Sequence, residues 1–371
     1  MLGANYRLRG GLPNCRAKFL CQKKGRVAYL GGSITMMSGW RTLTYRMFRR
    51  MFPGAKFSFI NAGIGGTDST LGSMRLERDV FGRGAADLLF LEFAVNDGGV
   101  ERRTALRAME GIIRHCRALN PNIDILMMYF ADEGKLKDLN AGKIPSAIAV
   151  HEEVAQYYGV PVIDMSRVIA AGINAKDFTW RDFSADGCHP LPFGHRIYLG
   201  CIEEFLSIAW AGKLPSKAEL TAHGTPARPL DALNYERGRL IGIEEAELLR
   251  GFQIIRGWDH NQGKCNYSGV VDVLAGVEAG AALRLKFTGT AVGIYDIVGQ
   301  DAGAVEYRID EGPVRKADLF DFYCPQFHRP QHRMFADDLK MGEHLLEIRV
   351  ARSKNRKSLG HSARILKFIA N

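Results

Sequence analysis

Several short segments of the sequence end in polar residues whose chemical types complement one another. Ser33 follows "VAYLGG", and Asp186 and His189 lie together in "SADGCHP". A serine attacks an acyl carbon when a histidine accepts its proton and a carboxylate holds that histidine in the required tautomer. We therefore predict Ser33 as a nucleophile, His189 as its base and Asp186 as the residue that orients the imidazole.

Acyl transfer also needs donors for the negative charge that develops on the carbonyl oxygen. The backbone N–H groups of Ser33 and Gly66 and the side-chain amide of Asn96 are the candidates, since each follows an apolar run. Glycine suits the second position because a side chain would obstruct close approach of a substrate. Taken alone, these residues have ordinary structural interpretations, because serine caps helices and glycine favours turns.

The elements that must position these residues alternate between strand and helix. Continuous apolar runs such as "RVAYLGG", "ADLLFLEFAVND" and "IDILMMYF" alternate with helical patterns such as "RRTALRAMEGIIRHCRALNP". This alternation predicts an α/β domain at 25–212, with a parallel sheet covered by helices on both faces. Because such sheets bind ligands at the carboxyl ends of their strands, the polar residues are expected to converge there.

The pattern changes on either side of this domain. Residues 1–24 read as a basic leader that packs on the α/β domain, and the Pro- and Ala-rich stretch 213–235 reads as a linker. Beyond it, short apolar runs punctuated by turns, such as "ALRLKFTGTAVGIYDIV" and "HLLEIRVA", predict a β-sandwich over 236–371.

Composition narrows the class of protein. Residues 1–50 hold eleven Lys and Arg and no Asp or Glu, which accounts for a net charge of +10. We read this as a solvated basic face and expect no nucleic-acid partner, because no nucleic-acid-binding motif accompanies it. No apolar run approaches the length of a membrane span, and no secretory leader is seen. Seven scattered cysteines fit free thiols, so we expect a cytoplasmic protein.

Four ordered blocks, "GGSIT", "NAGIGG", "AVND" and "DGCHP", resemble those of the SGNH/GDSL hydrolase family. By position, the resemblance implies Ser33, Gly66, Asn96 and His189, with Asp186 completing a triad. Two departures stand out: the usual Gly-Asp-Ser is here Gly-Gly-Ser, and Ala94 replaces the glycine that usually opens the third block. The "GGSIT" variant resembles the carbohydrate-esterase branch, whose members include acetylesterases with a C-terminal β-sandwich.

The resemblance implies a flavodoxin-like parallel sheet between helices. It also implies a serine esterase that removes O-acetyl groups from sugars or oligosaccharides, with no metal and no organic cofactor. Segments such as "VGIYD" and "DLKMGEHLLEIRV" look like a galactose-binding-like jelly roll of the carbohydrate-binding-module type. Whether this domain binds sugar, completes the active site or forms a homo-oligomer is left open.

Residues that could contact a sugar lie near the predicted site or in an aromatic stretch of the second domain. The candidates are Trp40, Asp68, Arg75, His328 and Arg329. Trp40 could stack on a sugar ring or pack in the hydrophobic core. The stretch that holds His328 could be an ordinary surface loop.

Three other functions remain open at this stage. The same triad serves a lipase or thioesterase that acts on longer acyl chains. Alternatively, the chain could be a carbohydrate-binding protein that binds sugar and does not hydrolyse esters. The basic first 50 residues leave room for an acidic polymer, which would bind with a steep salt dependence.

Overall fold

The computed structural model describes residues 5–212, 219–259, 264–265 and 271–371. These form two compact units, one comprising 1–64 with 68–236 and the other 237–371 with 65–67. The first four residues, and residues 213–218 of the predicted linker, lie outside the described part of the chain.

The first unit contains a six-stranded sheet in the order β1-β6-β5-β4-β2-β3. All strand pairs are parallel except β1 with β6. The strands are β1 (Tyr6–Arg7), β2 (Lys24–Gly31), β3 (Lys56–Gly63), β4 (Leu88–Glu92), β5 (Asp124–Tyr129) and β6 (Val162–Asp164).

Helices surround this sheet, and their bounds are α1 (Pro13–Ala17), α2 (Ser33–Met36), α3 (Trp40–Met51), α4 (Ser69–Leu76), α5 (Arg102–Leu119), α6 (Glu133–Asn140), α7 (Ser146–Tyr157), α8 (Met165–Asn174), α9 (Trp180–Phe183) and α10 (Pro192–Ala209). Along β2, Val27 and Tyr29 join one hydrophobic core, while Ala28 and Leu30 join another on the opposite face. This alternation confirms the predicted parallel sheet between two helical layers, because both faces of a central strand are buried.

The strand order reverses beside β2, which lies between β3 and β4. The chain runs from β2 outward to β3 and then crosses back to β4 on the other side of β2. In open α/β sheets such a reversal creates a crevice at the carboxyl ends of the strands, where ligands bind. The segments that follow β2 and β4 therefore flank the expected site.

The second unit is a sandwich of two sheets, as predicted. Its strands are β7 (Arg239–Ile241), β8 (Glu247–Arg250), β9 (Phe252–Trp258), β10 (Lys264–Cys265), β11 (Val271–Gly276), β12 (Ala282–Gly289), β13 (Val292–Val298), β14 (Ala304–Ile309), β15 (Arg315–Asp318), β16 (Phe327–Ala336), β17 (Gly342–Val350) and β18 (Ala363–Ala370). One sheet has the order β10-β16-β13-β18-β11-β9 with β7 beside β18, and the other has the order β15-β14-β17-β12-β8. All pairs are antiparallel except β10 with β16. Leu283 and Ile348 from one sheet share a core with Ile294 and Phe368 from the other.

Part of the basic charge near the N-terminus is paired within the first unit. Arg7 and Arg9 both contact Glu152, and Lys18 contacts Asp87. The N-terminal segment is thus held against the α/β fold by ion pairs. In the described part of the chain, we find no helix with the length and apolar character needed to cross a membrane.

The part of the predicted linker that the structure describes, 219–235, also belongs to the first unit. The backbone N–H groups of Leu230 and Asp231 donate to the fully buried carboxylate of Glu110 on α5, at 2.6 and 2.8 Å. The Asp231 side chain in turn contacts Arg103 and Arg107. This part of the predicted linker is therefore fixed by a buried charge that needs donors.

Candidate active site

Ser33 is the first residue of α2, directly after the turn that ends β2. Gly32 is the N-cap, and its carbonyl accepts the N–H of Met36 at 2.9 Å. The cap position that serine often fills is thus taken by the glycine. This leaves the Ser33 hydroxyl to contact His189, whose Nε2 lies 2.7 Å from Oγ.

His189 links Ser33 to Asp186. The imidazole Nδ1 lies 2.8 Å from Asp186 Oδ2, while Nε2 faces the serine. The three side chains form one continuous chain of hydrogen bonds, and their catalytic roles stay a prediction. In this arrangement the Nδ1–H group donates a hydrogen bond to the carboxylate, which leaves Nε2 to accept the proton of the serine.

The loop between α9 and α10 holds Asp186 and His189 in place. Asp186 Oδ1 accepts the backbone N–H groups of Cys188 and His189 at 2.9 and 2.8 Å. The hydroxyl of buried Ser184 lies 2.7 Å from the carbonyl oxygen of His189, and Trp180 Nε1 donates to the carbonyl of Asp186 at 2.8 Å. Ser184 and Trp180 are positioning residues that sequence reasoning missed, since nothing in their spacing marked them.

The electrostatics favour an ionised Asp186. Burial alone would raise the pKa of its carboxyl, but the donors from Cys188 and His189 outweigh that effect and lower it to about 2. The carboxylate is therefore available to hold an imidazolium. Cys188 behaves oppositely, because burial and the charge of Asp186 raise the pKa of its thiol to about 11. The thiol stays protonated near neutral pH.

Asn96 lies against the turn that carries the serine. An ideal Cβ built on Gly32 would come within 2.0 Å of Asn96 Oδ1, so the amide occupies space that any other residue would fill. The neighbouring Asp97 is fully buried; its Oδ1 accepts the N–H of Ser69 at 3.0 Å and its Oδ2 lies 2.7 Å from His151 Nε2. Asp97 thus ties the turn after β4 to α4 and α7.

Gly66 lies between β3 and α4, is exposed, and has a φ of 73°. Glycine adopts this left-handed conformation without the strain that a side chain would add. Its predicted contribution to an oxyanion hole stays a prediction.

Trp40 and Arg75 are not available to a sugar, and both predictions are wrong for the same reason. Trp40 is fully buried, packs edge-on against Tyr29 and Phe130, and donates from Nε1 to the carbonyl of Ile34. An indole enclosed on all sides offers no face for stacking.

Arg75 is also fully buried, and its guanidinium donates hydrogen bonds to the sheet. It donates to the carbonyls of Ala62 and Gly31 at 2.6 and 3.2 Å and pairs with Asp79 at 2.9 Å. Arg75 therefore joins the ends of β2 and β3. Asp68, the third candidate in this unit, caps α4, since its Oδ1 accepts the N–H of Leu71 at 3.2 Å.

His328 and Arg329 lie on β16 of the second unit and are 3% and 9% exposed. The His328 ring packs against Trp258, and Arg329 pairs with Asp321 beneath the ring of Tyr323. Their predicted contact with substrate stays a prediction.

Glu92 is a further residue that the sequence did not single out. It ends β4, is 1% exposed, and accepts the N–H of Val95 at 3.3 Å, just before Asn96. Burial raises the pKa of its carboxyl to about 8, although Lys135 partly opposes this effect. In the sequence, Glu92 could have been noticed as the single charged residue that interrupts the apolar run "LLFLEFAV".

Within the described residues, one group of side chains has the composition of a metal site, and it belongs to this same loop. The donor atoms of Asp186, Cys188 and His189 all lie within 4.8 Å of one another. An organic cofactor is not implied by the arrangement, because a serine, a histidine and a carboxylate suffice for acyl transfer.

Comparison with known proteins assigns the α/β unit to a class. Residues 29–197 match the GDSL-like lipase/acylhydrolase family, and that segment includes Ser33, Asn96 and His189. Residues 29–197 therefore form a GDSL-like lipase/acylhydrolase domain, and the chain is a hydrolase of carboxylic esters.

Solved structures share the architecture of both units. A two-domain esterase active on acetylated mannans, co-crystallised with mannopentaose, matches with a TM-score of 0.74 at 22% identity, over 94% of this chain and 90% of that one. A second structure of a two-domain esterase active on acetylated mannans matches with a TM-score of 0.75 at 21% identity, over 96% and 92%. No curated protein sequence was found to match this chain.

Proposed function

We propose that this protein is a serine esterase that removes O-acetyl groups from acetylated oligosaccharides. The observation that carries the proposal is the hydrogen-bonded chain from Ser33 Oγ through His189 to Asp186, with distances of 2.7 and 2.8 Å. It lies at the edge of the sheet where the strand order reverses, which is where an α/β fold binds its ligands.

In the first half-reaction, Ser33 Oγ attacks the acetyl carbonyl while His189 Nε2 takes its proton. Asp186 stabilises the imidazolium that forms, and its low pKa keeps it anionic for that role. The sugar hydroxyl leaves with the proton from His189. The histidine then activates a water molecule, which releases acetate from the acyl-enzyme and restores the serine.

The charge on the tetrahedral intermediate needs donors in place before the reaction. We assign this role to the backbone N–H of Ser33, at the start of α2, and to the side chain of Asn96, which lies against Gly32. The N–H of Gly66 is the third donor that the family resemblance implies.

The similarity to solved esterase structures supports an acetylated sugar as the substrate. The structural relatives are described as active on acetylated mannans and share both units of this chain. Acetylated manno-oligosaccharides are therefore the first substrates to test, followed by acetylated xylo-oligosaccharides.

Acetate release from this panel tests the proposal, with Ser33→Ala as the inactive variant. Ser38→Ala is a matched control, because Ser38 is exposed only five residues away. We expect turnover in the wild type and in Ser38→Ala, and loss of turnover by at least about 10³-fold in Ser33→Ala. Turnover that survives in Ser33→Ala would overturn the mechanism.

A series of nitrophenyl esters of increasing chain length tests the acyl preference. The proposal expects the highest kcat/KM for acetate. A maximum at octanoate, with no acetate released from the sugar panel, would instead identify a lipase or thioesterase on the same triad.

A further inference from the structure

The loop that carries His189 also carries a thiol that ester hydrolysis does not use. Cys188 Sγ lies 3.5 Å from His189 Nδ1, and Nδ1 lies 2.8 Å from Asp186 Oδ2. Sulfur, imidazole nitrogen and carboxylate oxygen are the donors that Zn²⁺ binds in proteins. The three donor atoms lie within 4.8 Å of one another, on the side of the imidazole away from Ser33.

The spacing suits a tetrahedral cation. Bonds of about 2.3 Å to sulfur and about 2.1 Å to nitrogen place those atoms about 3.6 Å apart. The observed separation of Cys188 Sγ and His189 Nδ1 is 3.5 Å. The nitrogen and the Asp186 oxygen would move apart by about half an ångström, because the cation replaces the proton of their hydrogen bond.

The site is open to solvent and has a favourable charge. The side chains of His189 and Asp186 are 39% and 55% exposed, so a hydrated ion can reach them. Asp186 and Asp132 place negative charge near the thiol, while Lys135 opposes them. Three protein ligands leave the fourth position of the ion to water.

We propose that Asp186, Cys188 and His189 bind a thiophilic divalent cation such as Zn²⁺, and that binding switches off ester hydrolysis. The inhibition rests on the proposed function of His189. When the cation takes Nδ1, the imidazole proton moves to Nε2, and the thiol proton leaves to solvent as the sulfur–metal bond forms. A protonated Nε2 cannot accept the proton of Ser33, so the nucleophile is not activated.

Inhibition by Zn²⁺ is measured on the full chain, with acetate release as the readout and a chelator to reverse it. We expect turnover to fall in the wild type and to return with the chelator. Cys188→Ser should hydrolyse the substrate normally without metal, and its half-inhibitory Zn²⁺ concentration should rise at least about tenfold. Cys21→Ser is the matched control, because Cys21 is an exposed cysteine on the same unit.

Binding is measured separately by ultraviolet titration with Cd²⁺, which reports a metal–thiolate bond directly. The band should appear in the wild type and in Ser33→Ala, and be lost in Cys188→Ser. The same band or the same inhibition in Cys188→Ser would overturn the site, and Cd²⁺ bound with turnover intact would overturn the switch. If the wild type hydrolyses no ester, the proposed function fails, while the Cd²⁺ titration still decides whether the site exists.

Discussion

The side chain of Asn96 fills the space where a Cβ of residue 32 would lie, with its Oδ1 only 2.0 Å from that position. Gly32 precedes the proposed nucleophile, and Asn96 follows a different strand. The glycine that departs from the usual Gly-Asp-Ser sequence is therefore matched to the position of the asparagine. The two segments approach so closely because β2 and β4 are neighbours in the sheet.

Gly32→Asp, which restores the commoner motif, is expected to impair this enzyme. The new side chain must displace Asn96, which can swing aside at little cost to folding but then leaves the position proposed for a donor to the substrate carbonyl. We expect kcat to fall by about 10- to 100-fold with a melting temperature close to that of the wild type. Steady-state kinetics and thermal unfolding check this together, and an unchanged kcat would show that Asn96 needs no such placement.

Asn96→Ala removes a proposed donor to the oxyanion directly. We expect kcat to fall by about 10² to 10³-fold while KM changes little, because the donor acts mainly in the transition state. The exposed Asn174→Ala provides the control. A rise in KM with kcat preserved would instead place Asn96 in substrate binding.

Asp186→Asn leaves the shape of the loop intact but favours the wrong tautomer of His189. We expect kcat to fall by about 10² to 10⁴-fold on the acetate-release assay. Asp177→Asn, at an exposed position before α9, should retain wild-type turnover. Full activity of Asp186→Asn would mean that the 2.8 Å contact with His189 does not orient the base.

Glu92 should make stability depend on pH in a definite direction. Its pKa is raised from 4.5 to about 8 by burial, so the folded protein holds its proton more tightly than the unfolded chain does. The resulting stabilisation is complete below about pH 4.5 and is lost as the pH rises towards about 8. Thermal unfolding across this range should show that loss in the wild type and a flatter profile in Glu92→Gln. Glu278→Gln, at an exposed site, should follow the wild type.

Arg75→Met tests the structural role of a residue that the sequence suggested for sugar binding. The change leaves the carbonyls of Gly31 and Ala62 without their buried donor, so we expect unfolding free energy to fall by about 2–4 kcal/mol. Arg78→Met, which removes an exposed ion pair with the same Asp79, should cost less than about 1 kcal/mol. Urea unfolding gives both values. A raised KM with stability unchanged would instead indicate that Arg75 contacts the substrate.

Sequence reasoning reached the layers of both units, and it singled out three side chains that the structure brings together, Ser33, His189 and Asp186, because both depend on local signals. The parallel strands of the first unit are apolar runs in the sequence, and Ser33 and Asn96 follow two of them. Neighbouring parallel strands bring their carboxyl ends to one edge, so the order of the blocks sufficed to predict that Ser33 and Asn96 would lie close together.

Only the tertiary structure decided which of the other residues face the site. Trp40 and Arg75 have residue types that suit a sugar, yet both are enclosed by partners distant in sequence. The contact between Ser33 and His189 joins residues 156 positions apart, and the fit of Asn96 against Gly32 depends on how two strands pack. Periodicity along the chain shows which residues can be buried, but burial and contact distance are set by the packing of elements that the sequence does not place side by side.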